Sequence, residues 1–573
     1  MTKFTVKGIG EVDLGQRDFI AKGGQGSVYG KGKIAYKIYE DPSKMLPVAK
    51  IQELSVLNHP NIIRPDRLLL DKKNQTVGYT MRLVSGTALC QLFTKAFRQR
   101  NNLDNDKILT LVKDLHSLVD YIHQRGILIV DLNELNFLVD SAFSEIYAID
   151  TDSYQTPSFP ATVIMDNIRD RHCKNNHFTK ETDWFSWGIL AFQLLVGVHP
   201  YKGGHPKYTG LPLDQRMNAR MNDNISAFHP DATIPAICQP FDVIPTALKQ
   251  WMIAVFEKGQ RVIPPKEFEG GTIVVATVRQ IAGSNLFEIM ELETYDGEVV
   301  SYYSHNGDCL VLTDDKKIHL HGRTYNIPTN NAVFAFTPKM SKPIAIFTEN
   351  ELVKLFDIEG QKLIPFTCNA TGVMATDGRV YLQNHTSVLE LNFVEIGNTI
   401  QCTSKNVGVV LDLPGATKVF DGLILQNMLG RYFASFFPKS GHCYQVGFQE
   451  LDDYKIVEAK YENNVLVVAG VKPNGKYDRF VFRFSPDFKV YDCRKVENVT
   501  FTGLNFTVSD AGVCVLITEE EKVEIFSNKM NNGSLKEMDD PAVSSDMRLC
   551  HDGAKIMFTK NKKLYSFSMK KTT

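Results

Sequence analysis

The spacing of apolar residues changes along this chain. Between about residues 100 and 200 they recur at threes and fours: Ile108, Leu111, Val112, Leu115, Leu118, Val119 and Ile122 fall on one face, which predicts an amphipathic helix. The longest apolar stretch, 184–198, contains Gln193 and is too short to span a bilayer, so it predicts a buried helix. Before residue 90 the texture is mixed. Strand-like runs at 34–40 (IAYKIYE) and 77–84 (VGYTMRLV) flank a helical stretch at 45–57. After about residue 270 the helical period disappears, and short strands alternate with turns rich in Gly, Asn, Asp and Lys. The break falls at 262–271, where Pro264-Pro265 and Gly270-Gly271 suit a linker.

The second half also repeats. A polar turn, an apolar strand, a polar hairpin tip and another apolar strand recur at 305–321, 342–356, 373–391, 417–437, 460–484, 509–526 and 550–567. Such a unit cannot bury its apolar face alone, so neighbours must stack, and radial closure solves the problem of exposed sheet edges. The expectation is an all-β domain over 272–573, a seven-bladed β-propeller, with a pair of β-sandwiches as the alternative. Closure of that ring predicts that 273–278 pairs into the same blade as 564–569.

Composition narrows the class. The 573 residues exceed what one hydrophobic core usually serves, which predicts several domains. A formal net charge of -1 gives no signal for nucleic acid or a membrane surface. The ten cysteines are scattered singly with no C-x-x-C pair, which argues against zinc and for reduced thiols in a cytoplasmic protein. The first residues contain no apolar core of signal-peptide length.

Three segments carry candidate chemistry. Ala21-Lys22-Gly23-Gly24-Gln25-Gly26-Ser27-Val28 is a glycine-rich turn that lets backbone approach phosphate oxygens. Lys37 follows on the strand Ile34-Ala35-Tyr36-Lys37-Ile38, placed to neutralise phosphate charge. Asp131-Leu132-Asn133-Glu134-Leu135-Asn136 follows the helix, and a second apolar strand ends at Asp150. Phosphoryl transfer needs a carboxylate that orients the attacking hydroxyl and oxygen ligands that hold magnesium against the triphosphate.

On these residues the chain, from about 15 to 265, resembles the eukaryotic-type protein kinase superfamily. The resemblance implies an α+β bilobal fold over 1–265, with an N-lobe over about 1–84, a C-lobe over about 85–265 and a linker at 266–271. It implies ATP binding by Gly23, Gly24, Gly26, Val28, Ala35, Lys37 and Leu138. It makes Asp131 and Lys37 the catalytic residues, Asn136 and Asp150 the magnesium ligands, and Asp183 and Arg261 structural braces. Asp170 stands where the family has the glutamate of its Ala-Pro-Glu segment, and Asp152 is expected to cap the loop after Asp150, with a further metal ligand as the alternative. The fusion implies a protein substrate or docking partner held by the propeller.

The departures bear on activity. Ala21 replaces the first loop glycine, Ile129-Val130 replaces the usual His-Arg, and Asn133 replaces a lysine that faces the transferring phosphate. Lys50 occupies the position of the helix glutamate that should pair with Lys37; Glu53, one turn later, is the candidate substitute if the helix shifts, and otherwise a solvated surface charge. Asp-Leu-Asn and Asp-x-Asp-Ser resemble a divergent bacterial and phage branch, which implies a cytoplasmic protein, in the host if phage-encoded. Three functions remain open: an active serine/threonine protein kinase, a pseudokinase scaffold, and a small-molecule kinase.

Overall fold

The computed structural model describes residues 2–22, 26–161, 163–173, 175, 177–266, 268, 283–305, 307–397, 399–412 and 415–570. The chain begins with β1 (Thr2–Val6), β2 (Gly10–Leu14), β3 (Phe19–Lys22), β4 (Gly26–Lys31) and β5 (Ile34–Tyr39). Helix α1 (Val48–Leu54) follows, then β6 (Arg67–Leu70) and β7 (Thr76–Arg82). The strands form one sheet in the order β2-β1-β6-β7-β5-β4-β3. Glycine is needed on either side of the Lys37 strand. A Cβ on Gly26 would stand 2.2 Å from the Ile38 carbonyl oxygen, and one on Gly78 would stand 2.0 Å from that of Lys37.

The next region is mainly helical. A short strand, β8 (Thr87–Ala88), leads into α2 (Lys95–Arg100) and α3 (Asn105–Gln124). All seven apolar positions of the predicted α3 face are buried. The Asp104 side chain caps this helix by accepting the Lys107 N–H at 2.8 Å. Strands β9 (Phe137–Val139) and β10 (Ile146–Ala148) form a hairpin that joins β8 in a small sheet. Helix α4 (Lys180–Val196) is the predicted buried helix, and it stops at Gly197, which takes φ 97°. Helices α5 (Leu213–Asp223) and α6 (Thr246–Phe256) complete this part. Its core holds all three tryptophans, Trp184, Trp187 and Trp251. Phe268, expected in the linker, is buried in that core against Trp187 and His116.

From residue 287 onward the described chain is rich in strands, arranged in seven four-stranded antiparallel sheets. Six sheets are consecutive meanders over 299–326, 333–364, 372–409, 417–448, 455–496 and 506–538. The seventh combines 548–569 with β11 (Phe287–Thr294) from the start of the region. Seven apolar cores each join two neighbouring sheets. One of them brings Val299 and Val311 of the first sheet against Met557 and Leu564 of the seventh. The segment 273–278 lies outside the described residues. The strand paired with Lys563–Met569 is β11, from Phe287 opposite Met569 to Thr294 opposite Lys563.

The all-β region packs directly on the helical one. Val457, Val471, Tyr477 and Val499 belong to the same buried core as α3 and α4. Among the described residues no helix is long and apolar enough to cross a membrane.

Candidate active site

Lys37 stands on β5, whose alternation turns its side chain away from the N-lobe core. Its ammonium lies 2.8 Å from Asp150 Oδ1 and 2.7 Å from Asp152 Oδ2. Burial works against that charge, but the two carboxylates outweigh it and hold the lysine protonated above its usual range. Asp150 follows β10 with φ 60° and opens a single 3-10 turn that carries Asp152. The turn puts both carboxylates beside Lys37. Asp152 therefore does not merely cap the loop: it is buried, and it also accepts the Tyr39 hydroxyl at 2.9 Å.

The two carboxylates oppose each other. The like charge of Asp152 raises the Asp150 pKa. Burial penalises Asp152, but Lys37 and hydrogen bonds prevail and lower its pKa. Asp152 Oδ1 is buried with no hydrogen-bond partner among the described residues. Two adjacent carboxylates, one carrying an orphaned oxygen, form a hard-oxygen donor set that fits a divalent cation.

Glu53 does not pair with Lys37. It accepts the Ser158 N–H at 3.2 Å, because α1 turns Lys50 inward and Glu53 outward toward that loop. Lys50 is buried and donates to the Asp152 carbonyl oxygen at 2.8 Å. The helix position that the family fills with an acid thus holds a cation that ties down the backbone of the acidic turn.

Asp131 sits between α3 and β9. Its Oδ1 accepts the Met165 N–H at 2.8 Å, and burial raises its pKa against the effect of such hydrogen bonds. The Asn136 amide donates to the Asp131 carbonyl oxygen at 3.0 Å, and the Ile149 N–H returns to the Asn136 carbonyl oxygen at 2.9 Å. These bonds place the Asn136 side chain beside Asp131 and tie its backbone to the strand leading to Asp150. Asn133 is fully buried: its amide donates to the Asp131 carbonyl oxygen at 3.3 Å, and its oxygen accepts the Leu135 N–H at 2.8 Å.

Two further groups hold this loop in place. Asp183 on α4 accepts the N–H groups of Ile129 and Val130 at 2.7 and 2.9 Å, and meets His123 Nε2 at 2.9 Å. Arg261 grips Asp170 with two bonds of 2.6 Å, an ion pair between two residues that the sequence singled out separately.

The remaining sequence candidates fall on surrounding strands. Val28 faces Lys37 across β4 and β5, Ala35 is buried opposite Met81, and Leu138 pairs with Ala88 of β8. Gly26 makes the close approach described above, while Gly23 and Gly24 lie outside the described residues. Sequence reasoning missed Glu134. It is fully buried, burial raises its pKa, and its Oε1 accepts the hydroxyl of Tyr477 at 2.9 Å from the all-β region.

Comparison with known proteins bears on the same segment. The family described as the protein kinase domain matches residues 26–241. Human serine/threonine-protein kinase Nek2 is 22% identical over 205 residues, 34% of this chain and 46% of that protein. CBL-interacting protein kinase 5 of rice, Oryza sativa subsp. japonica, is 29% identical over 187 residues, 29% of this chain and 38% of that protein. Probable serine/threonine-protein kinase PknB of Lactococcus lactis is 25% identical over 205 residues, 32% of this chain and 31% of that protein. The chain spans less than half the length of each of these three relatives. Residues 26–241 of this chain belong to the eukaryotic-type protein kinase superfamily.

Proposed function

We propose that the chain is an ATP- and magnesium-dependent kinase that phosphorylates serine or threonine in proteins. The observation that carries this reading is the convergence of Lys37, Asp150 and Asp152, with bonds of 2.8 and 2.7 Å, beside the braced loop of Asp131 and Asn136. Asn136 and Asp150 would hold the metal, with Asp152 beside them. The bound metal supplies positive charge against the triphosphate. Asp131 orients the substrate hydroxyl and takes its proton as the oxygen attacks the γ-phosphorus. The bond to the ADP oxygen breaks, and ADP leaves. Lys37 exchanges part of its carboxylate contact for phosphate oxygens.

The reading extends to the domains. Residues 1–265 form the bilobal kinase unit and 272–573 a second domain, joined at 266–271, with Phe268 anchoring the joint to the C-lobe. The seven sheets are the blades of a closed β-propeller, supported by seven inter-sheet cores for seven sheets, since an open arc would have six. The propeller docks the protein substrate or a partner.

One observation favours a nucleotide-responsive scaffold instead: Lys37 has no glutamate from α1 and spends its charge on both acids of the metal turn. A single experiment separates the two readings. Incubation with labelled ATP, magnesium and a serine/threonine protein substrate should transfer label with the wild type and not with Asp131→Ala. Equal label, or none with either, overturns the kinase reading.

A further inference from the structure

The all-β region reaches both walls of the interlobe site. On the N-lobe side, Phe19 of β3 shares a buried contact with Ala416, and a Cβ on Gly415 would meet Ile20 at 3.2 Å. A Cβ on Gly430 would meet the Lys22 side chain at 2.9 Å. These contacts come from the segment leading into the fourth sheet and from one of its hairpin turns. On the C-lobe side the fifth sheet makes the contact: the Gln91 amide donates to the Val457 carbonyl oxygen at 3.3 Å, and Tyr477 bonds Glu134. Two neighbouring sheets therefore straddle the mouth between the lobes.

Each of these sheets carries a lysine there on its first strand. Lys455 donates to the carbonyl oxygen of Leu135, next to Asn136, at 3.4 Å, and lies within electrostatic reach of Glu134 and Asp150. Lys418 lies within reach of Lys455 and Cys90. Neither has a carboxylate partner within ion-pair distance among the described residues, and each keeps part of its surface open to solvent. Two like charges side by side in a crowded interface are unfavourable unless something anionic joins them. Burial and the charge of Lys455 push Lys418 down to about 8. The acids of the site outnumber the cations left for a phosphate. Lys37 is already paired with Asp150 and Asp152, Lys50 is bonded to the Asp152 carbonyl oxygen, and the position of the family's loop lysine is Asn133, which is consumed by backbone bonds.

We propose that Lys418 and Lys455 are part of the nucleotide site and bind the polyphosphate of the nucleoside triphosphate, replacing charge that the catalytic loop lacks. The proposal rests on the kinase reading above. It makes the all-β region a structural component of the active site and not only a docking module. A nucleotide with more phosphates should gain more from the two lysines, and the bare nucleoside should gain nothing.

The test is calorimetric binding of MgATP, MgADP and adenosine to the full chain, for wild type, Lys418→Met, Lys455→Met, the double variant and both Lys→Arg changes. Expected are MgATP affinities at least tenfold weaker in the double variant, a smaller loss for MgADP, unchanged adenosine affinity and recovery in the arginine variants. Equal losses for adenosine and MgATP, without arginine recovery, would assign the lysines to packing and overturn the proposal. Unchanged MgATP affinity with impaired transfer to an acidic protein would mean that they hold the protein substrate, and would also overturn it. If wild type binds neither MgATP nor adenosine, the nucleotide reading itself fails and the proposal falls with it. A wild type that binds MgATP while the variants are indifferent removes the proposal alone.

Discussion

The carboxylate of Asp183 accepts the backbone N–H of Val130 at 2.9 Å, and Val130 holds a left-handed backbone with φ 62°. A β-branched residue resists that conformation, which costs about 1–3 kcal/mol and persists only where surrounding bonds impose it. Asp183 imposes it here, with a second bond from Ile129 and a third contact from His123. The strained residue directly precedes Asp131. The strain is therefore part of how the Asp131 carboxylate is aimed.

Asp183→Ala should lower the melting temperature and reduce phosphoryl transfer more than tenfold. The buried N–H groups of Ile129 and Val130 would lose their acceptor, at about 1–3 kcal/mol each. Asp183→Asn keeps one acceptor oxygen and should fall between. Thermal unfolding and initial rates check both variants. A stable Asp183→Ala protein with wild-type turnover would remove the bracing role.

Lys37→Met should weaken catalysis at least tenfold, about 1.4 kcal/mol in barrier terms, because Asp150 and Asp152 would lose their shared cation. Lys50→Met should act mainly on stability, since Lys50 holds a backbone oxygen of the acidic turn. Glu53→Ala should leave the rate within about threefold, as its bond runs to the exposed Ser158 loop. Rates and melts for the three variants decide the order. A Glu53 variant as damaged as the Lys37 variant would restore the helix glutamate pairing.

Much of this site was legible because its parts are fixed by local spacing. Asp131 and Asn136 stand five residues apart on one loop, and Lys37 and Asp150 each lie on or just after a strand with a clear apolar pattern. The α3 face followed from its helical period, and Asp170 and Arg261 were each singled out by order along the chain, though their pairing was not. The contact of Asp152 with Lys37 was not legible because it depends on the left-handed backbone at Asp150, which no composition signals. The facing of Glu53 stayed open in the sequence because it depends on where α1 ends, and it ends at Leu54, leaving Lys50 inward. Tyr477 lies 343 residues from Glu134, and nothing in either local pattern points to the other.

Metal-dependent nucleotide binding should fail on the acid side at a higher pH than an ordinary carboxylate would cause. Asp150 must be ionised to hold a cation, and the like charge of Asp152 raises its pKa. As pH falls through that raised value, Asp150 takes up a proton and releases the metal. Asp152→Asn removes the opposing charge while Lys37 remains, so the acid limb should move to lower pH. Magnesium-dependent MgATP affinity measured across pH reads the shift directly. A limb that stays in place or moves upward would mean that Asp150 is not the group titrating.

The last strand offers a test of closure in which two probes report separately. Lys563–Met569 lies between β11 and 555–560, so its removal strips hydrogen-bond partners from both neighbours. It also supplies Tyr565 and Phe567 to the core shared with the sixth sheet, and Leu564 to the core shared with the first. Deleting 564–573 therefore opens two inter-sheet cores and leaves β11 without a pairing strand. The expected result is a cooperative loss of all-β stability, seen as a lower midpoint in far-ultraviolet circular dichroism. Tryptophan fluorescence reports on the other region, since Trp184, Trp187 and Trp251 all lie in the C-lobe core. Val457, Tyr477 and Val499 belong to that same core, and Tyr477 bonds the loop of Asp131 and Asn136 through Glu134. Loss of the all-β region should therefore lower the tryptophan midpoint as well. A dichroism midpoint equal to that of the full chain would show that these ends do not close the array. A shifted dichroism midpoint with an unchanged fluorescence midpoint would show that closure holds but the two regions unfold independently.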